Sequence, residues 1–431
     1  MAGAMAAGTA RLKLSHRQAM TAEPYGREGL PLEQARVQIL EALQPLSRTE
    51  VLPLMQALGR TTASAVQAPA AVPGFRASIM DGYAIAGAEQ PEPGARWRLV
   101  GTSAAGAPYG AKLAAGEAVR ILTGAVVPEG SKRVLPQELV AAAGDQMELL
   151  KPCGTNPWIR PPEEEAAPDQ ILVPSGWRLG VADLGRLASC GVQTLHLTNR
   201  ARLGLLISGD ELVPPGQERG AGQIWESNST LLSALLQRLG YPVTKQLVVA
   251  DAPEPLREAL LELAATCDVV VSTGGVSAGD SDWIRPLVDE LGEVAFWKLF
   301  LKPGRPFAWG QVAGVPFFGL PGNPVAAAIT ALQLLWPALQ RLEGAEVELL
   351  PRLKVRLEAP LRRGSGRPEL ARARLRVAAD GTLQARVEGS QASSRIGSLT
   401  GADLLLEIPA EPGPLEAGTE LWAQLLRLPL L

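Results

Sequence analysis

Apolar runs and helical spacings alternate along the middle of the chain. Short apolar runs typical of strands occupy residues 202–207, 243–249, 269–272, 296–300 and 316–318. Apolar positions at helical spacing occupy residues 228–239, 253–265, 283–291 and 325–342. Strands that alternate with helices form a parallel sheet covered on both faces. The pattern therefore predicts an α/β domain over residues 201–345.

The pattern changes before this domain. Apolar positions at helical spacing also occur in two earlier stretches. We assign both to one helical linking module, formed by residues 30–68 and 169–200. Between them, residues 69–168 consist of short strand-like pieces broken by Gly and Pro. This texture indicates a β domain inserted into the linking module.

The two ends of the chain differ again from the middle. Residues 346–431 contain short alternating stretches and predict a small C-terminal β domain. Residues 1–29 are rich in Ala and Gly and are expected to form a flexible extension. The predicted fold class is an α/β multidomain protein with a central parallel-sheet domain, an inserted β domain, a helical linking module and a small C-terminal β domain.

Composition narrows the chemistry available. The net charge of −3 gives no overall attraction to nucleic acid or acidic lipid, and the apolar runs are shorter than the ~20 residues that span a bilayer. We therefore expect a cytoplasmic protein with neither a nucleic-acid nor a membrane partner. Three cysteines without Cys-x-x-Cys spacing argue against disulfides and a cysteine zinc site. With only His16 and His196 as imidazoles, carboxylates, cations, hydroxyls, amides and oxygen-bound metals remain as candidates.

Five polar loops follow the predicted strands of the α/β domain. In an open parallel sheet, ligands bind beyond the carboxyl ends of the strands. Glycines such as Gly274 and Gly275 allow backbone amides to approach an anion, and helix starts such as that after Asn323 favour negative charge. The loops therefore predict an anion site, with ordinary strand-ending turns as the alternative. They comprise residues 208–211, 251, 273–282, 302–306 and 320–324.

Charged residues in and beside these loops refine the prediction. Lys298 and Lys302 lie four residues apart, close to Arg305, and on an extended segment the two lysines would share a face and repel unless an anion lay near them. A solvated basic edge is the alternative. Oxygen ligands suited to Mg²⁺ are supplied by Glu211, Asp251, Asp280 and Asp282. The combination indicates phosphoryl or nucleotidyl-ester chemistry.

Seven short motifs occur in order along the chain. They are Met80 to Ala84, Leu122 to Ala125, Ser208 to Leu212, Gly222 to Ile224 with Ser227 and Asn228, Gly274 to Ser277, Lys302 to Gly304, and Gly319 to Val325. Together they resemble the molybdopterin molybdenumtransferase family, the molybdenum-insertion enzymes of molybdenum cofactor synthesis, which includes the E domain of gephyrin. The resemblance extends from about residue 30 to the C-terminus.

This resemblance implies a homodimer of four-domain subunits, with the active site between the α/β domain of one subunit and the inserted and C-terminal domains of the other. It implies that molybdate and adenylylated molybdopterin are substrates, that Mg²⁺ is the cofactor, and that molybdenum cofactor and AMP are the products. Molybdopterin adenylyltransferase and molybdoenzymes are the further partners that it suggests.

The resemblance also assigns site residues. Asp282, Glu211 and Asp251 would serve the metal and the nucleotide pyrophosphate. Asp81 and Thr123 would reach the site from the partner subunit. The residues expected to surround molybdate are Ser277, Lys302, Arg305, Pro306, Arg372 and Ser394, with Lys298 close by.

Several positions depart from the family pattern. Arg305 stands where lysine is usual and offers a planar fork in place of a point charge. The acid expected near residue 164 is ambiguous between Glu164 and Glu165. Arg395 follows Ser394 where histidine is common and adds a cation.

Two alternatives to molybdenum insertion remain at this stage. One is the preceding adenylyltransferase step, whose enzyme shares the α/β domain but lacks the flanking β domains. The other is a non-catalytic scaffold, a role that gephyrin fulfils in part. The motifs of both β regions favour insertion over the first, and the presence of Asp282 and Lys302 argues against the second.

Overall fold

The fold was analysed in a computed structural model. It divides into two units, one formed by residues 29–46 and 200–427 and the other by residues 47–199. The five-part division predicted from the sequence is finer than these units and stays a prediction. The residues that the structure describes are 29–276, 282–362, 366–411 and 413–427.

Seven α-helical segments lie in the described ranges: α1 (Leu32–Ala42), α2 (Val181–Ser189), α3 (Asn228–Arg238), α4 (Pro253–Thr266), α5 (Ile284–Leu291), α6 (Pro324–Thr330) and α7 (Trp336–Leu342). A π-helical turn at Ala331–Leu335 joins α6 and α7 into one helix. This helix, Pro324–Leu342, is the one described helix long and apolar enough to cross a membrane, and 94 % of it is buried within the fold. Core packing therefore accounts for its apolar composition. Helix α2 lies within the second stretch of the predicted linking module, after strand β11 (Ile171–Val173).

The unit of residues 47–199 is built mainly from β-structure. Its largest sheet has the order β7-β4-β6-β5-β9-β8, and short pairs form around it. The strands are β1 (Thr49–Pro53), β2 (Val66–Gln67), β3 (Ala77–Ser78), β4 (Gly82–Ala86), β5 (Arg96–Ser103), β6 (Glu117–Ile121), β7 (Ser131–Pro136), β8 (Val140–Ala143), β9 (Gln146–Leu149), β10 (Ile159–Arg160), β11 (Ile171–Val173) and β12 (Thr194–Thr198). The β-rich region predicted before the α/β domain is confirmed.

The second unit contains a six-stranded sheet with the order β16-β13-β17-β20-β19-β18. Its core strands are buried along their whole length, as expected for strands covered by helices on both faces. Strand pairs β13–β16, β13–β17 and β17–β20 are parallel, so the loops after them meet at one edge. The strands of this region are β13 (Leu203–Ser208), β14 (Leu212–Val213), β15 (Ile224–Trp225), β16 (Val243–Val249), β17 (Val269–Thr273), β18 (Gly292–Trp297), β19 (Ala308–Val312) and β20 (Val315–Leu320).

The far side of this sheet differs from the prediction, because β18, β19 and β20 pair antiparallel. Strand β19 has no counterpart among the predicted strands. The two residues between β19 and β20, Ala313 and Gly314, have φ of 47° and 80°. Positive φ at both central residues is the signature of a two-residue hairpin turn, which enforces antiparallel pairing. The sheet is therefore mixed, with four parallel strands extended by an antiparallel edge.

The C-terminal region is a closed five-stranded barrel, which confirms the predicted small β domain. The barrel order is β21-β23-β22-β24-β25. Its strands are β21 (Arg352–Leu357), β22 (Glu369–Val377), β23 (Leu383–Val387), β24 (Leu404–Ile408) and β25 (Glu420–Leu425). Barrel closure pairs the sheet edges that an open sheet would leave exposed.

A buried chain of polar side chains ties α1, the long helix and the barrel together. Arg36 donates through Nη2 to Gln333 Oε1 at 3.1 Å, and Gln333 Nε2 donates to Gln424 Oε1 at 2.6 Å. Gln424 Nε2 continues the chain to Glu407 at 2.9 Å, which also accepts from Arg352. Buried polar groups are costly when unpaired, so this chain fixes the barrel against the α/β domain.

Gln333→Leu is expected to lower the free energy of unfolding by about 1–3 kcal/mol, because it leaves Arg36 Nη2 and Gln424 Oε1 without these partners in a buried setting. Urea unfolding measures this change. Lys245→Met breaks an ion pair with Glu262 whose side chains are 32 % and 52 % exposed and should change the same quantity by less than about 1 kcal/mol. Equal small effects would contradict the assigned role of the chain.

Candidate active site

A cavity of about 860 Å³ opens at the edge where the parallel strands end. One part of its lining, or wall, comes from the loops after β13, β17 and β20, and the other comes from residues 301–306, Arg367, residues 391–394 and Ile396. The predicted site residues that line it are Glu211, Gly274, Gly275, Lys302, Arg305, Pro306, Asn323 and Ser394. The loops predicted to converge therefore form one cavity, apart from the segment after β16.

The turn after β17 depends on two glycines. Gly274 and Gly275 have φ of 86° and 61°, a region that side chains disfavour. A Cβ on Gly275 would lie 2.6 Å from Ile284 at the start of α5, and a Cβ on Gly322 would lie 3.5 Å from the Gly274 Cα. Two backbone segments thus approach closely at the cavity floor, which is how main-chain amides reach a bound anion.

The long helix and α3 both begin at the cavity. Asn323 is the residue before the long helix, makes no capping hydrogen bond with its side chain and lines the cavity. Asn228, the first residue of α3, donates through Nδ2 to Gly322 O at 2.7 Å. Its Oδ1 is buried without a hydrogen-bond partner. A buried acceptor at a cavity wall indicates that a ligand or water donor belongs there.

Three cations line the opposite side: Lys302, Arg305 and Arg367. Lys302 Nζ pairs with Glu369 Oε2 at 3.0 Å, on a carboxylate side chain that is only 9 % exposed. Burial lowers the pKa of Arg367, the charge of Arg305 adds to this lowering, and Glu369 opposes it. Like charges held together in this way form a site for an anion.

Acidic residues gather at the neighbouring strand ends. Burial raises the pKa of Asp251, and the charges of Asp210, Asp282 and Glu211 raise it further, while a hydrogen bond with Ser208 opposes the rise. Asp251 Oδ1 is buried and unpartnered. Of these acids, Glu211 alone lines the cavity. In the described part of the chain, no three metal-ligating side chains come close enough together to hold an ion.

Lys298 does not line the cavity, contrary to the expectation that it would face the same anion as Lys302. Strand β18 ends at Trp297, and Lys298 has a positive φ of 74°, so the segment between the lysines is not one extended strand. The Lys298 ammonium lies 3.7 Å from the centroid of the Trp297 ring. Cation–π contact holds it at that ring.

Arg372 also lies outside the cavity wall, although it was expected to surround the anion. It is buried, and its guanidinium donates to Ser398 Oγ at 3.1 Å and to Ala392 O at 3.3 Å. Its backbone N–H donates to Gln391 Oε1 at 2.8 Å. Arg372 therefore supports the loop whose residues 391–394 and Ile396 line the cavity.

Asp81 and Thr123 lie in the other unit and contact one another. The Thr123 backbone N–H and hydroxyl each donate to Asp81 Oδ1 at 2.8 Å, and these bonds lower the pKa of Asp81. Both residues are exposed. The predicted ligand Ser277 lies outside the described residues.

Several residues that line the cavity were not predicted from the sequence. Arg367 stands outside every strand-end loop, and its role follows from the start of β22 beside Lys302. Glu226 and Trp225 lie within the Gly222 to Asn228 motif, but neither was assigned a role. Glu226 accepts the Ser229 backbone N–H at 2.9 Å and so caps α3 at the cavity.

The fold and cavity define a multidomain α/β protein with a cation-lined cavity between a sheet edge and a barrel. Comparison with known families agrees with each region. Residues 30–191 match the MoeA N-terminal region (domain I and II), residues 204–341 a probable molybdopterin binding domain, and residues 354–426 the MoeA C-terminal region (domain IV).

Similar proteins extend over most of the chain. Molybdopterin molybdenumtransferase of Haemophilus influenzae is 32 % identical over 394 residues, which cover 90 % of this chain and 96 % of that protein. Gephyrin of Dictyostelium discoideum is 28 % identical over 92 % of this chain and 62 % of its own length. The crystal structure of a molybdopterin biosynthesis MoeA protein from Pyrococcus horikosii has 27 % identity and a TM-score of 0.74, covering 93 % of this chain and 99 % of that one. The chain belongs to the molybdopterin molybdenumtransferase family, a family of enzymes, which confirms the resemblance drawn from the motifs.

Asp251→Asn is expected to stabilise the protein at pH 7. Because the folded-state pKa of Asp251 is raised, the native state holds its proton more tightly, and stability falls as pH rises from the ordinary carboxyl pKa through the folded-state value. Removing the charge should raise Tm at pH 7 by roughly 1–3 °C, with little gain near pH 3. Melting curves at both pH values measure this.

Asp380→Asn is the matched control, because hydrogen bonds from Thr382 lower the pKa of Asp380. Loss of that charge should destabilise the protein at pH 7 or leave it unchanged. A fall in Tm for Asp251→Asn at pH 7 would contradict the inference that the Asp251 charge destabilises the native state.

Proposed function

We propose that this protein inserts molybdenum from molybdate into adenylylated molybdopterin, with Mg²⁺-dependent release of AMP, to give molybdenum cofactor. The observation that carries the proposal is the cavity that combines Lys302, Arg305 and Arg367 with the glycine turn and the start of the long helix. Relatives named molybdopterin molybdenumtransferase, from Haemophilus influenzae and Mycobacterium tuberculosis, match about 90 % of the chain and support it.

The cationic wall suits molybdate, a tetrahedral dianion with four acceptor oxygens. Lys302 supplies a compact point charge, whereas Arg305 and Arg367 offer planar forks of donors. Because the fold already fixes these three side chains, they need not reorganise when charge shifts in the reaction. The chain's own part in catalysis is thus to neutralise molybdate and hold it beside the dithiolene of the substrate.

The opposite wall suits the phosphate end of the substrate. The backbone amides around Gly274 and Gly275 and the start of the long helix after Asn323 would accept phosphate oxygens. The unpartnered acceptor of Asn228 would bind a hydroxyl or amino group of the substrate.

The acidic residues support the Mg²⁺ requirement. The repulsion that raises the pKa of Asp251, together with its buried Oδ1, fits a nearby cation. Because the described residues do not gather three ligands, Glu211, Asp251 and Asp282 would share the ion with substrate oxygens and water, as is usual for Mg²⁺. When bound, Mg²⁺ would supply charge neutralisation at the phosphates.

We further propose that the protein works in the cytoplasm as a homodimer in which Asp81 and Thr123 complete the partner's site. Their exposure and their mutual hydrogen bonds fit a preformed acidic contact. A molybdopterin adenylyltransferase would supply the substrate, and molybdoenzymes would receive the product.

The test mixes purified protein, Mg²⁺, adenylylated molybdopterin and molybdate and follows AMP. Lys302→Ala should lower turnover by about 10²–10³-fold, the usual effect of losing one preorganised charge donor. Lys354→Ala, which breaks an exposed pair with Glu420 on the barrel, should leave turnover unchanged. AMP formed only from ATP and free molybdopterin would replace the proposal with the adenylyltransferase step, and AMP formed without molybdate or Mg²⁺ would contradict it.

A further inference from the structure

Glu369 is a buried acid that makes direct contact with the cationic wall. Its carboxylate pairs with Lys302 Nζ at 3.0 Å, and the residue is 8 % exposed. Backbone pairing fixes the same two residues, since Lys302 N–H donates to Pro368 O at 2.9 Å and Leu370 N–H donates to Lys302 O at 2.8 Å. Both ends of the Lys302–Glu369 contact are therefore held.

Glu369 also acts on the other cations of this region. Its charge opposes the burial that lowers the pKa of Arg367 and of Arg372. Glu369 pairs with the Lys302 ammonium, and the charged residues that line the cavity with Lys302 are Arg305, Arg367, Glu211 and Glu226. One carboxylate offsets several cations at a site for a dianion.

We propose that Glu369 is a positioning residue that holds the Lys302 ammonium and weakens the binding of the oxyanion. This inference rests on the proposed function, because the oxyanion is taken to be molybdate. A carboxylate paired with the lysine that contacts an anion repels that anion, while it fixes the lysine that the anion needs. The charge of Glu369 then sets the affinity for molybdate, and the length of its side chain sets turnover.

Variants separate these two properties. Glu369→Gln keeps the size and an acceptor oxygen but removes the charge, so molybdate measured by calorimetry should bind roughly tenfold more tightly. Glu369→Asp keeps the charge but shortens the side chain, so molybdate affinity should stay near that of the unaltered protein. Turnover of Glu369→Asp should fall by up to about 100-fold, because the ammonium moves by about 1 Å.

Glu420→Gln is the matched control, since Glu420 pairs with Lys354 at 2.9 Å on the exposed barrel surface. It should alter neither quantity. The proposal would be overturned if Glu369→Gln bound molybdate no more tightly than the unaltered protein. It would also be overturned if Glu369→Asp had normal turnover, and this second result decides alone if the glutamine variant fails to fold. If the unaltered protein formed no AMP, the proposed function would be refuted but the affinity result would stand.

A second, independent observation concerns Trp225, which is 50 % exposed although it lines the cavity. Its ring is fixed in place: Nε1 donates to Gln217 O at 2.9 Å, and the Arg219 guanidinium lies 4.0 Å from the ring centroid. An exposed indole locked at a cavity wall costs hydrophobic free energy unless a ligand covers it.

We also infer that Trp225 is a stacking platform for a planar heteroaromatic ring of the substrate. Rings such as adenine and pterin stack on indole faces, and an immobilised side chain loses little entropy when they do. This subsite depends on the proposed function only for the identity of the ring.

Calorimetry with AMP and with a free pterin tests the platform and identifies the ring. Trp225→Ala should weaken binding of one of the two probes by roughly 5- to 150-fold, the range for loss of one base–aromatic stack, and should raise KM more than it lowers kcat. Trp225→Phe should recover most of the affinity. Trp422→Ala is the control, because that indole is 41 % exposed, flanked by Arg352 and Lys354, and lies on the barrel. Unchanged affinity for both probes in Trp225→Ala would overturn the inference.

Discussion

The short backbone pairing between Lys302 and the start of strand β22 holds the lysine of the cationic wall against the barrel. Two main-chain hydrogen bonds join the α/β domain to the barrel at this point, and the ion pair with Glu369 lies beside them. The buried chain from Arg36 to Gln424 holds the same two bodies from behind. Because both contacts are buried or backbone-mediated, the cationic wall is fixed before any ligand arrives, which is the condition for electrostatic preorganisation.

Charge is partly divided across the site. Lys302, Arg305 and Arg367 line the cavity, with Glu369 beside Lys302, whereas the acids around Asp251 lie at the ends of the parallel strands. A substrate that carries an oxyanion at one end and a metal-bound phosphate at the other would satisfy both. The strain of like charges on each wall is the free-energy cost of having this division ready in advance.

Much of the fold was predictable, because alternating strands and helices leave a strong periodic pattern. The convergence of the loops after β13, β17 and β20 followed from parallel pairing. Strand β19 was missed, since its turn at Ala313 uses a positive φ at a residue that carries no turn signal. The same physical cause explains Lys298, whose backbone leaves the extended region and breaks the spacing argument.

The site residues that were predicted from the α/β loops fared differently from those of the barrel. Loop residues such as Gly274 and Asn323 line the cavity because the sheet places them there. Arg372 and Arg367 depend on how barrel strands curve, and no local pattern indicates which of two nearby arginines faces the cavity and which braces a loop behind it. Only three-dimensional contact resolves that choice.

Binding of molybdate at the cationic wall can be observed in crystals of the protein soaked with molybdate and measured at the molybdenum absorption edge. An anomalous peak whose oxygens lie within hydrogen-bond distance, roughly 2.7–3.2 Å, of Lys302 Nζ is the predicted result. An anomalous peak at another place, with no peak in the cavity and the Lys302–Glu369 ion pair unchanged, would contradict molybdate binding at the cationic wall.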